Sequence, residues 1–279
     1  MVAKAKQQAV STWSRSQIGH RSEYSVERLL AFKDFCQRTS TARVIAVCFF
    51  TPLPALSVAI AIDCIPMRPP SDGWNNPGFW ARLFFTAFFI AVGLSFQVKE
   101  VLTGKIISNI GVLVISFGTS SCYLLMMFTI AVTWRFPIPY GFVVSVGPYV
   151  VIFSIITAFL IIGPKIMAQS PVLRRQIMLQ LLIVATQGVL AIVYPIFGAI
   201  FYRLSGAELT AFIMVMPVIK FITKQIIAAA AKHLKEYVGP IVVFSVDVFN
   251  VFYVAICMQA STSLVTTILM VASDSFHVV

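Results

Sequence analysis

Charged and amide side chains interrupt two apolar stretches in the C-terminal third of the sequence. Lys220 and Lys224 lie in the first of these stretches, and Asp247 and Asn250 lie in the second. A charge near the middle of a lipid bilayer costs about 2.5–3.5 kcal/mol on insertion scales, so it requires a partner or water. These four residues form a candidate polar site, whose chemistry would suit the passage of an ion or a small polar solute.

Lys220 and Asp247 are predicted to pair across a helical hairpin. Both lie about 20 Å along their helices from a short turn near position 234, at about 1.5 Å of rise per residue. Asn250 lies one turn beyond Asp247 on the same face, whereas Lys224 lies nearer the inner membrane surface, which its long side chain can reach. Two structural interpretations stay open beside the functional one: an ion pair that only joins helices, and a lysine that simply extends to the surface.

Signatures of catalysis, cofactor binding and metal binding are absent from the sequence. It contains no HExxH, GxSxG, P-loop or GxGxxG motif, each of which places reactive or phosphate-binding groups at a defined spacing. The five cysteines include no CxxC pair, and the three histidines lie outside the central parts of the predicted helices. We therefore expect a protein that is not an enzyme, with no cofactor and no metal.

The run Gly118-Thr119-Ser120-Ser121 is a further candidate, because it could contain a serine nucleophile. Such a nucleophile needs an adjacent base, and no histidine lies in the predicted membrane core to supply one. Small hydroxyl residues also let membrane helices approach closely. We therefore interpret this run as a helix-packing surface.

Composition indicates that the elements carrying these residues cross a lipid bilayer, which is the expected partner. Hydrophobic residues make up 59% of the 279 positions and charged residues only 11%, whereas soluble domains contain about one half and one quarter. Long unbroken apolar runs disfavour a transmembrane barrel, whose strands alternate polar and apolar residues. The net charge of +11 is assigned to residues that orient helices in the membrane. No nucleic-acid partner is expected, because no soluble basic domain is present.

The apolar runs predict an all-α, polytopic bundle of about seven transmembrane helices over residues 43–272. A helix needs about 20 apolar residues to cross the bilayer. The sixth run is interrupted by its two lysines, and the seventh merges into an apolar stretch that continues to Ala272. The predicted helices are Val44–Ile62, Phe79–Gln97, Ile110–Thr133, Gly141–Gly163, Ile177–Tyr202, Leu209–Ala231 and Gly239–Met258.

The distribution of basic residues predicts that the N-terminus is cytoplasmic. If the seven helices alternate in direction, only Arg68, Arg82, Arg135 and Arg203 fall opposite the N-terminus, and every other Lys and Arg falls on its side. Basic residues are enriched in cytoplasmic loops. Aromatic residues of the kind that form interfacial belts cluster at the opposite ends: Trp74, Trp80, Trp134, Tyr140 and Tyr202.

The first 42 residues are predicted to form a basic cytoplasmic segment with a short amphipathic helix. The helix spans Ser25 to Cys36, with Ser25 as N-cap and Glu27 in the first turn, and we expect it to rest on anionic headgroups rather than dock a protein. Residues 1–22 are basic and contain no acid, which also resembles a mitochondrial presequence. We expect the plasma membrane or an endomembrane rather than the mitochondrial inner membrane.

Six short motifs are spread along the chain. They are Tyr24-Ser25-Val26-Glu27-Arg28-Leu29-Leu30, Thr51-Pro52-Leu53-Pro54, Arg68-Pro69-Pro70-Ser71, Phe136-Pro137-Ile138-Pro139, Arg203-Leu204-Ser205-Gly206 and Val246-Asp247-Val248-Phe249-Asn250. Together they resemble an uncharacterised family of multi-pass transmembrane proteins of oomycetes. The resemblance covers nearly everything after Tyr24 and offers no functional residues. It also implies that family members continue beyond Val279, so that residues 273–279 would be a truncated C-terminal end.

Three classes of function fit these patterns. A transporter or channel leads, because ionisable residues lie in predicted helices that prolines such as Pro195 and Pro217 can kink. A receptor or signalling protein is second, although a cytoplasmic N-terminus is opposite to that of G-protein-coupled receptors. The third is a non-catalytic membrane scaffold or complex subunit. A small solute or ion is the expected ligand of the first class, and the oligomeric state stays open.

Overall fold

The computed structural model describes residues 26–272 with gaps at 70–71, 103–106, 164–170, 205, 214, 233–237, 248–249, 252–253, 256, 259–266 and 269. The described residues form helices and irregular connections, without a strand among them. This confirms the predicted all-α class. The chain divides into two compact units, one of residues 25–181 and one whose described part begins at Leu182.

The first helix, α1 (Val26–Arg38), is amphipathic and exposed. Glu27 in its first turn and Arg38 in its last turn suit the helix dipole, and Arg38 Nε lies 2.7 Å from Asp34 Oδ1. Its large apolar side chains are more than half exposed: Val26, Leu29, Leu30, Phe32 and Phe35. The predicted amphipathic helix is therefore present and extends to Arg38, while its predicted N-cap, Ser25, lies outside the described residues.

The first predicted membrane helix, Val44–Ile62, consists of two helices that follow one another. They are α2 (Thr41–Phe50) and α3 (Leu53–Asp63). Pro52 lies between them, and it has no amide hydrogen to donate to the preceding turn. Residues 41–63 together form a 23-residue apolar stretch of which none is buried.

Three long helices form the interior of the first unit. They are α4 (Pro77–Val101), α5 (Asn109–Thr133) and α6 (Gly141–Ile156), and the last continues directly into a π-helix, Thr157–Ile162. A polar side chain just before α4 and another just before α5 each accept a hydrogen bond from an amide of the first turn. Helix α5 packs against both α4 and α6, so it occupies the middle of the three.

Helix α5 has one buried face that carries several hydroxyl groups and one exposed face that is apolar. The buried face comprises Gly111, Val112, Ile115, Ser116, Thr119, Ser120, Tyr123, Met127 and Ala131. The exposed face includes Ile110, Leu113, Val114, Phe117 and Leu125. Within each face the residues recur every three or four positions, as they do along one side of an α-helix. An apolar exterior around a partly polar interior suits a helix that is surrounded by lipid.

The connection from α3 to α4 is fastened to the beginning of α4. Asn76, only 5% exposed, donates from Nδ2 to the Arg68 carbonyl oxygen at 2.9 Å. A Cβ atom added at Gly78 would lie 2.0 Å from the Pro66 carbonyl oxygen. Only glycine allows this close approach of two backbone segments.

The second unit begins within α7 (Pro171–Phe201) and continues with α8 (Gly206–Ile213) and α9 (Val215–Ala231). It then contains the short helix α10 (Val238–Val242), which runs directly into a second π-helix, Val243–Asp247. Helix α9 contacts both of these segments. The arrangement brings the lysine-bearing helix beside the segment that carries the aspartate.

Among the described residues, five helical stretches are long and apolar enough to cross a membrane. They are Thr41–Asp63, Pro77–Glu100, Asn109–Thr133, Gly141–Phe159 and Pro171–Phe201. They correspond to the first five predicted helices. Of the sixth and seventh predicted helices, the described residues show α8 and α9 on either side of position 214, and α10 continuing into a π-helix. The count of seven and the cytoplasmic N-terminus stay predictions.

Candidate functional site

The two lysines of the candidate site lie one turn apart on α9. The Lys220 side chain is only 3% exposed and the Lys224 side chain is 20% exposed. Lysine has a long flexible stem, and it is rarely buried unless it is paired. The depth of Lys220 within the second unit therefore requires a local source of compensating charge.

Asp247, the last residue of the second π-helix, supplies that charge. Its Oδ1 atom lies 3.3 Å from Lys220 Nζ and 2.7 Å from Lys224 Nζ. The same oxygen is out of reach of solvent, and neither contact has the angles of a hydrogen bond. Charge attraction rather than directed hydrogen bonding thus joins one carboxylate oxygen to two ammonium groups.

Of the four predicted site residues, Lys224 is the one whose side chain the structure places differently from the prediction. Lys220 and Asp247 meet, as the equal depths on the predicted hairpin indicated. Lys224, which was predicted to extend to the inner surface, instead forms the shorter of the two contacts with Asp247. Asn250 is buried, at 2% exposed. The turn that was predicted near position 234 lies outside the described residues.

Sequence reasoning missed a second polar contact beside the charged cluster. Gln187 Nε2 of α7 donates to Ser245 Oγ at 2.8 Å, and Ser245 lies two residues before Asp247. An amide within the apolar part of α7 that follows Gln180 is a signal that could have singled out Gln187. The π-helix itself was not predictable, because one inserted residue does not change the apolar composition of the run. π-Helical turns occur frequently at functional sites.

The cluster has more ammonium groups than carboxylates, so two ion pairs share one anion. One carboxylate faces two ammonium groups, so Asp247 could release either lysine to an incoming anion while it keeps the other. The described residues contain no group of three His, Cys, Asp or Glu side chains that could hold a metal ion. Exchange of ion-pair partners is a chemistry that these three side chains can perform.

Comparisons with protein-family models, with curated proteins and with solved structures find no match for this chain. The resemblance to the oomycete membrane-protein family stays a prediction. A function for this chain must accordingly be inferred from the geometry of the described residues.

Proposed function

We propose that the protein is a transporter or channel whose polar site contains Lys220, Lys224 and Asp247. The observation that supports this proposal most strongly is the 3% exposure of Lys220 in a chain with five helices apolar enough to cross a membrane. The sequence predicts that Lys220 lies in the sixth membrane crossing, where ionisable residues are rare and commonly mark ion or substrate paths.

Two further features support a working site over a purely structural ion pair. A structural pair needs one cation for one anion, whereas here two ammonium groups lie within 3.3 Å of the same oxygen. The carboxylate also ends a π-helix, a backbone form that is seldom retained without a role. Both features favour a site that changes partners during a cycle.

A transport site must be reached by water from at least one side, and this requirement supplies the test. Lys220→Cys in an otherwise cysteine-free chain should react with a membrane-impermeant thiosulfonate reagent in proteoliposomes. The matched control is Ile227→Cys on the same helix, where the native side chain is fully buried. We expect the Lys220→Cys variant to react at least about tenfold faster, a difference that separates a hydrated site from a dry one. Equal, slow reaction of both variants would contradict the proposal.

A non-catalytic complex subunit is the second candidate, and one observation favours it. No residue of Thr41–Asp63 is buried, so this apolar stretch is open to a membrane partner as well as to lipid. Mass measurement of the protein extracted in native lipid discs would test this interpretation. A single mass that exceeds one chain supports a subunit, and the mass of one chain alone contradicts it.

A further inference from the structure

Three hydroxyl groups are fully buried in the first unit without a hydrogen-bond partner among the described residues. They belong to Ser95 in α4, Thr119 in α5 and Thr157 at the start of the first π-helix, and each residue is 0% exposed. Nearby hydroxyls behave differently: Ser116 Oγ donates to the Val112 carbonyl oxygen at 2.8 Å, as helix hydroxyls usually do. The three groups therefore stand out as an unpaired set.

Thr119 and Thr157 lie at nearly the same level of the bundle. A Cβ atom added at Gly118 would contact Ile156 Cδ1 at 3.6 Å. The two threonines are the next residues along their chains, so they lie within about one turn of each other.

Ser95 lies about two turns away from them on the adjacent helix. Lys99 Nζ donates to Asn109 Oδ1, which fixes the register of the antiparallel helices α4 and α5. Ser95 is one turn from Lys99 and so faces the part of α5 near position 113. At about 1.5 Å of rise per residue, Ser95 and Thr119 are separated by about 9 Å along the bundle, a distance that a chain of a few water molecules would span.

Two tyrosines extend this set of hydroxyls toward the other end of the bundle. Tyr149 Oη donates to the Ala87 carbonyl oxygen at 2.7 Å, and the Tyr123 ring lies 5.2 Å from the Tyr149 ring. Ser145 is within hydrogen-bond reach of the Tyr123 hydroxyl. From Ser95 to Ser145 the column covers about 20 Å of the roughly 30 Å hydrocarbon layer.

Burial of an unpaired hydroxyl forfeits its hydrogen bonds to water, so three unpaired hydroxyls in one bundle require an explanation. Ordered water is the usual partner of such groups. The π-helix that begins at Thr157 adds to the polarity there, because it disturbs the regular pairing of backbone carbonyls. We propose that α4, α5 and α6 enclose a file of bound water on Ser95, Thr119 and Thr157, and that this file carries protons across the membrane.

Protons cross such a file by exchange rather than by diffusion of a carrier. Each water accepts a proton on one side and passes another to its neighbour, and a hydroxyl does the same through its oxygen and its own hydrogen. No group is consumed or left charged after a passage. The path lies entirely in the first unit, so it does not depend on the proposed site at Lys220 and Asp247.

The test is proton uptake into proteoliposomes that contain trapped pyranine, driven by a potassium gradient with valinomycin. We expect the native protein to admit protons faster than protein-free vesicles. Thr119→Val keeps the side-chain volume and removes the hydroxyl, so it should slow uptake by about tenfold. Thr129→Val is the matched control on the same helix, because its exposed hydroxyl already donates to the Leu125 carbonyl oxygen at 2.8 Å.

Two outcomes would overturn the proposal: native uptake no faster than in empty vesicles, or equal uptake by native protein and Thr119→Val. Ser95→Ala provides a second variant with the same criterion if the valine variant does not fold. The accessibility test at Lys220 separates the two proposals, because proton uptake that depends on Thr119 does not require Lys220→Cys to react.

Discussion

Single side chains in the second unit determine how well a buried charge is tolerated. Asp247 is 24% exposed and lies within 3.3 Å of both lysine ammonium groups. Spacing in the sequence was enough to predict that Lys220 and Asp247 meet, because both lie equally far from one turn. It was not enough to place Lys224, whose flexible stem can reach either the membrane surface or the carboxylate.

Asp247→Asn should destabilise the protein by about 3 kcal/mol, because it removes the carboxylate charge that lies beside two ammonium groups. The measurement is thermal unfolding in detergent, followed by far-ultraviolet circular dichroism. Adding Lys220→Met should recover part of the loss, since one uncompensated charge is then removed. A double variant no more stable than Asp247→Asn would show that the pair with Lys220 contributes little.

Gly78→Ala should destabilise the first unit by at least about 2 kcal/mol, because the new Cβ meets backbone rather than a movable side chain. The contact in question is with the Pro66 carbonyl oxygen at 2.0 Å. Gly93→Ala in the same helix is the control, since nothing lies within 4 Å of its added Cβ. That control should leave the unfolding temperature unchanged or raise it. Equal behaviour of the two variants would contradict the close approach of the connection to α4.

At the scale of elements, the apolar runs located the long helices well and the irregular ones poorly. Asn109–Thr133 begins only one residue before its predicted start. The agreement is close because polar residues bound this continuous apolar run and so define its ends. The break at Pro52 and the π-helices at Thr157 and Val243 depend on single backbone hydrogen bonds. Composition does not report such bonds, so the π-helix at Asp247 could not be predicted, whereas Pro52 did signal a kink in the first predicted helix.

Tyr149→Phe should weaken the packing of α6 on α4, because the Ala87 carbonyl oxygen loses the hydrogen bond of 2.7 Å. The expected loss is about 1–2 kcal/mol of unfolding free energy, measured by denaturation in mixed detergent micelles. Tyr140→Phe removes a hydroxyl from a side chain that is 82% exposed, so it should have no effect. A similar loss in both variants would indicate that the hydroxyl of Tyr149 is not the cause.

For the whole molecule, the sequence predicted the helical class and the apolar exterior, because both follow from composition. The buried hydroxyl column was only partly predictable. Thr119 lies in a run that was interpreted as a packing surface, and Ser95 and Thr157 carry no distinguishing signal because isolated hydroxyls are common in membrane helices. Three residues far apart in the sequence acquire a shared role only once α4, α5 and α6 are packed together.

The predicted orientation can be tested with single cysteines in an otherwise cysteine-free chain. Asn75→Cys and Arg135→Cys should react with an impermeant reagent from the side opposite the N-terminus, and Glu100→Cys from the other side. All three residues are exposed, so differences in labelling report sidedness. Reaction of all three variants from one face of sealed vesicles would contradict the alternating arrangement.

The stretch from Thr41 to Asp63, in which no residue is buried, has a consequence for how this protein can vary. A segment in which no side chain is buried is free to exchange leucine, isoleucine, valine and phenylalanine, provided that it stays apolar and long enough. The buried face of α5 does not tolerate such exchanges, because its side chains pack against neighbouring helices. Among related sequences, substitutions should therefore be most frequent in Thr41–Asp63 and rarest around Thr119.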